Sequence, residues 1–182
     1  AIRILSYGMS EGYMPLREAF LNHIAIPKGI KADIENILIT TGATQGIELI
    51  SQTFINPGDV VLVESPSFLT SLQVFLKYGA TLVGVNMDTD GIMCEDLECK
   101  IKKYNPKMLY TIPTFQNPSG KTLPSHRRKK IADLADKYDL LVVEDDPYCD
   151  LRYTGDVVPP IKSFDETGNI ILANSFSKIL AP

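Results

Sequence analysis

Apolar and polar positions along the chain follow two periods that take turns. Short runs of β-branched and aliphatic residues predict buried strands at "VVLVE" (Val60–Glu64), "TLVGV" (Thr81–Val85), "KMLYTIP" (Lys107–Pro113), "LLVVEDD" (Leu140–Asp146) and "NIILAN" (Asn169–Asn174). "NILIT" (Asn36–Thr40) predicts a further short strand near the start. Between these runs the apolar residues recur at helical spacing. Ala43, Ile47, Ile50 and Phe54 predict one helix, ended by "NPGD" (Asn56–Asp59), and Phe68, Leu72, Phe75 and Leu76 share one face of a second. A turn at "DTDG" leads to a helix over Cys94–Tyr104. Ile131, Leu134, Ala135 and Tyr138 mark the buried stripe of another, which leaves the basic run "HRRKK" (His126–Lys130) on its outer, solvated side. "MPLREAFLNHI" reads as a surface helix behind the loop "YGMSEGY". Strands alternating with helices predict an α/β fold, a three-layer α/β/α arrangement on a mainly parallel sheet. The C-terminal ends of parallel strands then share one edge, where open α/β sheets bind ligands.

Composition narrows this picture. With 182 residues, 45% hydrophobic and 22% charged, the chain has the balance of one globular domain with its own core. A net charge of −4 argues against nucleic acid as the main partner. No apolar run approaches the ~18 residues of a membrane span, and "AIRILSYG" lacks the pattern of a secretory leader. Cys94, Cys99 and Cys149 form no CxxC pair, which predicts free thiols and a cytoplasmic setting. His23 and His126 lie far apart, so no metal site is expected.

Four loops follow predicted strands and carry the candidate chemistry. "TTGATQG" opens a helix with small residues, so its backbone N–H groups are free to approach a phosphate, although a plain tight turn has the same composition. It is neither GxxxxGK[ST] nor GxGxxG. "PTFQNPSG" sets Asn117 before a proline that fixes the local backbone, either as a simple turn or to aim the amide. "VVEDDPYCDLRY" ends a strand in three acids, which repel unless a cation, a metal or solvent relieves them. A Mg²⁺ site of a nucleotide hydrolase and a carboxylate set against a protonated heterocycle both suit that run. "NSFSK" places Ser175, Ser177 and Lys178 after an apolar strand, where a neutral lysine amine bonds an aldehyde.

Together these loops offer a phosphate cradle, an amide, a carboxylate and an amine. In order and spacing, "SYGMSEGYMPLREA", "TTGATQG", "VESPSF", "PTFQNPSG", "VVEDDPYCDLRY" and "NSFSKILAP" resemble the fold-type I aminotransferases that depend on pyridoxal 5'-phosphate (PLP), over essentially the whole chain. Within that family the chain is most similar to the 2-aminoadipate and broad-specificity branch, near the aminotransferase-like domains of GntR/MocR-type regulators. The resemblance implies transfer of an amino group between an amino acid and a 2-oxo acid. Lys178 would carry PLP as an internal aldimine and act as general base. Asp145 would pair with the pyridinium nitrogen, Tyr148 and Asn117 would bond the ring hydroxyl oxygen, and Phe68 would stack on the ring. Backbone N–H groups of Ala43 and Thr44, with Ser175 and Ser177, would hold the phosphate. Tyr7 would reach the phosphate of the neighbouring subunit of a homodimer.

The chain departs from the family pattern at Ala43, where many relatives have serine. Family members are substantially longer. Residues 1–182 are therefore expected to be the PLP-binding large domain, without the N-terminal arm, the small domain or the arginines for phosphate and substrate carboxylate. Turnover by this stretch alone is expected to be weak or absent. Two alternatives share the motifs. One is the ligand-sensing domain of a GntR/MocR-type regulator, which would meet nucleic acid through an upstream helix-turn-helix domain. The other is a PLP-dependent lyase or decarboxylase on the same fold.

Overall fold

The computed structural model of the chain describes residues 7–180. The leader reading of Ala1–Ser6 and the Ala181–Pro182 end of the lysine motif lie outside the described residues.

Six strands form one sheet: β1 (Val60–Ser65), β2 (Thr81–Asp88), β3 (Gly91–Ile92), β4 (Met108–Thr111), β5 (Leu141–Asp145) and β6 (Ile170–Ala173). Their spatial order is β3-β2-β1-β4-β5-β6. All neighbours run parallel except the β2–β3 hairpin. The helices are α1 (Met14–Phe20), α2 (Ala43–Phe54), α3 (Leu69–Lys77), α4 (Cys94–Tyr104) and α5 (Ser125–Tyr138).

Strand alternation divides the core between the two faces of the sheet. Leu62, Leu109 and Val142 turn to one side and pack with Leu97 and Ile101 of α4 and Ile131 and Leu134 of α5. Val61, Val63, Met108, Tyr110 and Val143 turn to the other and meet Ile47 of α2 and Phe75 of α3. The result is the three-layer α/β/α arrangement, with β1 and β4 buried at its centre. From β1 the chain moves outward to β2 and β3, then crosses back to β4 on the other side of β1. The β1/β4 boundary is thus the topological switch point, where crossovers diverge and leave a crevice at the C-terminal ends.

Three expectations need correction. Residues 37–40 are extended but pair with no strand among the described residues, and 34–36 form a 3₁₀ turn. A strand is defined by its partner, and the bond recorded here runs from Ile39 N–H to the Glu11 carbonyl in the preceding loop, at 2.9 Å. This extended segment faces outer strand β6 across a groove lined by Phe20, Ile37, Ile39, Leu172 and Phe176. Leu76 is 55% exposed, because α3 turns Ser71 and Phe75 inward instead. The basic run is not wholly solvated. Arg128 is fully buried, while Arg127 pairs with Asp88 at 2.7 Å.

Candidate active site

Parallel strands β1, β4, β5 and β6 release their loops at the same edge, so Phe68, Asn117, Asp145, Tyr148, Ser175, Ser177 and Lys178 are all delivered there. The acidic run at the end of β5 does not converge on one point. Glu144 is buried and accepts bonds from the N–H groups of Ile161 (2.7 Å) and Lys162 (2.8 Å), so it anchors the turn that leads to β6. Asp146 accepts a bond from the Thr114 hydroxyl at 3.1 Å and lies near Arg128. Asp145 points to the opposite face. Its Oδ2 accepts a 2.6 Å bond from the Tyr110 phenol, and its Oδ1 is buried with no hydrogen-bond partner among the described residues.

Burial pushes the Asp145 carboxyl up to about 6, the Tyr110 bond opposes that rise, and the Asp146 charge adds to it. A buried carboxylate oxygen without a donor is costly unless a ligand supplies one. Asp145 is therefore arranged to receive a donor, and a cationic donor would suit it best.

The loops after β1 and β4 are tied together below the site. Glu64, at the end of β1, is buried and accepts bonds from the Thr111 hydroxyl, the Ile112 N–H (3.2 Å) and the Gln116 amide (2.9 Å). The same Gln116 amide donates to the Pro66 carbonyl at 2.9 Å, and its oxygen accepts the Ser119 N–H at 2.8 Å. Gln116 thereby fixes the loop that presents half-buried Asn117, and its other bond fixes the approach to half-buried Phe68. Arg128 closes this loop from beneath, donating to the carbonyls of Leu123 and Pro113 at 2.8 and 3.0 Å.

At the start of α2, Gly42 adopts φ 88° and ψ 162°, a conformation open to glycine and strained for other residues. No side chain caps this end. The first N–H groups of any helix lack intrahelical partners, which leaves those of Ala43 and Thr44 for an anion. A cavity of about 320 Å³ brings Gly42 together with Ser175 and Ser177. The Ser177 N–H donates to the Ser175 hydroxyl at 3.2 Å, which folds the serine turn on itself. Phe176 packs edge-on to Phe20 with ring centroids 6.2 Å apart, and that contact anchors the turn carrying exposed Lys178. Tyr148 is half-buried beyond β5. Tyr7 is fully exposed, and no contact brings it to the other candidates. Phe68, Asn117, Asp145 and Tyr148 do not line the cavity that joins Gly42 to the serines.

Sequence reasoning passed over Glu64, Ser71, Tyr110, Gln116 and Arg128. Their strongest available signal was position, since Glu64 ends a strand and Gln116 adjoins Asn117.

The architecture and edge define an α/β protein with a crevice at a switch point, supplied with an uncapped helix N-terminus, a buried carboxylate and a lysine turn. The model of the family "Aminotransferase class I and II" matches residues 3–181, and the chain belongs to that family. It is 42% identical to aromatic-amino-acid aminotransferase 1 of Thermococcus litoralis, over 100% of this chain and 45% of that protein. It is also 38% identical to an uncharacterized HTH-type transcriptional regulator of Bacillus subtilis, over 98% of this chain and 37% of that protein. The crystal structure of Pyrococcus horikoshii kynurenine aminotransferase, in complex with PMP, matches with a TM-score of 0.92 at 43% identity, over 98% of this chain and 45% of that one. The chain thus spans under half the length of these relatives.

Proposed function

We propose that the protein is a PLP-dependent aminotransferase exchanging an amino group between an amino acid and a 2-oxo acid, with residues 1–182 as its cofactor-binding large domain. The observation that carries this reading is Asp145, whose buried Oδ1 lacks a donor while Oδ2 is held by Tyr110. That arrangement fits the protonated ring nitrogen of PLP. When bound, the cofactor supplies an electron sink for the pair left on the substrate carbon by deprotonation.

The chain's own residues do the rest. Asp145 keeps the ring nitrogen protonated. Asn117 and Tyr148 orient the ring through its hydroxyl oxygen, and Phe68 covers one ring face. The N–H groups of Ala43 and Thr44 bind the phosphate with Ser175 and Ser177. Lys178 holds the cofactor through its ε-amine and carries the proton from the substrate carbon. Exposed Tyr7 reaches the partner's phosphate in a homodimer, a role supported by its full exposure. The three free cysteines fit a reducing, cytoplasmic setting.

Titration with PLP and then a panel of amino acids tests the reading through visible absorption. The panel starts from aromatic amino acids and kynurenine, for which the relatives above are named. A cofactor band that changes on adding one of them, and is lost in Lys178→Ala, is expected. Wild-type turnover by Lys178→Ala refutes the assignment. A second reading, the sensing domain of a transcriptional regulator, rests on the match to the HTH-type protein. A DNA-binding module preceding Ala1, of roughly 60–80 residues, together with a cofactor band that no amino acid changes, decides for it.

A further inference from the structure

The donor to Asp145 is itself built into a chain of contacts. Tyr110 lies on β4, fully buried, and in the parallel register it sits opposite Val143. Asp145 is two residues further along β5, on the same face, and so a diagonal neighbour within reach of a long side chain. The Tyr110 phenol donates to Asp145 Oδ2 at 2.6 Å and accepts from the Ser71 hydroxyl at 2.9 Å. Ser71 is buried on the inward face of α3. The tyrosine ring is wedged edge-on to Phe75, with centroids 5.3 Å apart and planes at 66°. With Ser71 filling its acceptor position, the phenol proton has one direction to go, toward Asp145.

We infer that Tyr110, clamped by Ser71 and Phe75, is the positioning residue that aims Asp145 and holds it as a carboxylate for the cofactor ring nitrogen. This rests on the PLP reading above and adds to it the device that makes Asp145 serviceable. Occupation of Oδ2 leaves Oδ1 as the one oxygen open to the cofactor. The need for such a device is clear from the neighbours. Asp145 is buried and lies beside Asp146, the residue just past the end of its strand, and both burial and that carboxyl oppose its ionisation. The Tyr110 bond acts in the other direction. Burial and the Asp145 charge together push the phenol itself far above its ordinary range, so it remains a neutral donor at any working pH.

The test compares the whole protein with Tyr110→Phe, which keeps the ring and its packing on Phe75, and with Ser71→Ala. A hydrogen bond to a charged group corresponds to roughly 10- to 100-fold in an equilibrium constant. In the cofactor-free Tyr110→Phe protein, the Asp145 carboxyl followed by carbon NMR should titrate roughly one to two pH units higher than in wild type. With PLP labelled at the ring nitrogen, the ¹⁵N shift should move toward that of the unprotonated ring. kcat should fall by roughly 10- to 100-fold, with KM for the amino acid nearly unchanged. Ser71→Ala should move each readout the same way by less, and it carries the test alone if Tyr110→Phe does not fold. If wild type binds PLP while the variants keep its Asp145 titration and ¹⁵N shift, the role of Tyr110 is overturned and the PLP reading stands. If wild type shows no PLP band at all, both fall.

Discussion

Replacing Arg128 tests the frame on which the candidate site stands, independently of any cofactor. Its guanidinium is fully buried and donates four bonds: to Leu123 O (2.8 Å), Pro113 O (3.0 Å), Thr114 Oγ1 (3.0 Å) and Pro159 O (3.2 Å). Arg128→Met preserves much of the stem and removes every donor. Each stranded buried acceptor costs about 1–3 kcal/mol, less whatever local relaxation recovers. Glu144 and Asp146 also lose a nearby cation. Removing one partner from a buried charged network typically costs ~3–5 kcal/mol, and that range is expected here. For a domain of this size it corresponds to a fall in Tm of roughly 10 °C. Arg128→Lys keeps the charge but cannot reach four acceptors around a planar fork, so about half the loss should persist. Urea unfolding of the three proteins at neutral pH, with equal m-values as the check on two-state behaviour, measures both differences. A loss below about 1 kcal/mol in Arg128→Met would refute the reasoning. A lysine variant as stable as wild type would show that charge, and not the fork, is what matters.

Two further outcomes follow from the site itself. Burial raises Glu64 to about 7 in the folded chain, from 4.5. The native state therefore holds a proton that the unfolded chain releases, and stability falls as pH rises between those values. Glu64→Gln should flatten that part of the profile in urea melts at pH 5, 6 and 7.5, whatever its constant cost, and an unchanged slope would count against a buried, proton-holding Glu64. At Gly42 a Cβ meets nothing within 4 Å, yet φ of 88° strains any other residue by about 1–3 kcal/mol. If α2 holds the phosphate as proposed, Gly42→Ala should turn its N-terminus away from that group and weaken PLP binding by roughly tenfold or more, read by fluorescence titration. Unaltered affinity would separate α2 from the phosphate.

What the sequence disclosed depended on whether the signal was local. Five of the six predicted strands appear: β1, β4 and β5 as aliphatic runs buried on both faces, β2 and β6 as more exposed runs that still pair with a neighbour. Residues 36–40 have the same composition, but a strand also needs a neighbour, which no local pattern reveals. Arg128 was legible in principle: 128, 131, 135 and 138 share one helical stripe, and the surrounding lysines concealed the inward member. The Tyr110–Asp145 pair was not legible, since it depends on the register between β4 and β5. The lysine turn and the acidic strand end announced themselves through residue type. The network of Glu64 and Gln116 that holds Asn117 in place joins residues 52 apart in sequence and emerges only in three dimensions.

Outer strand β6 pairs on one side only among the described residues, with β5. Its other side turns main-chain donors and acceptors toward the groove and the extended segment 37–40. Such an edge is a template, and any extended peptide laid along it would continue the sheet. Lys178 stands five residues beyond the last residue of that strand, on the turn pinned by Phe176. Filling the groove would therefore stiffen the platform beneath the lysine as well as hide apolar surface. The chemistry proposed for Lys178 and the completion of this sheet edge would then meet at one short turn, whose Phe176 and Ser177 line the groove.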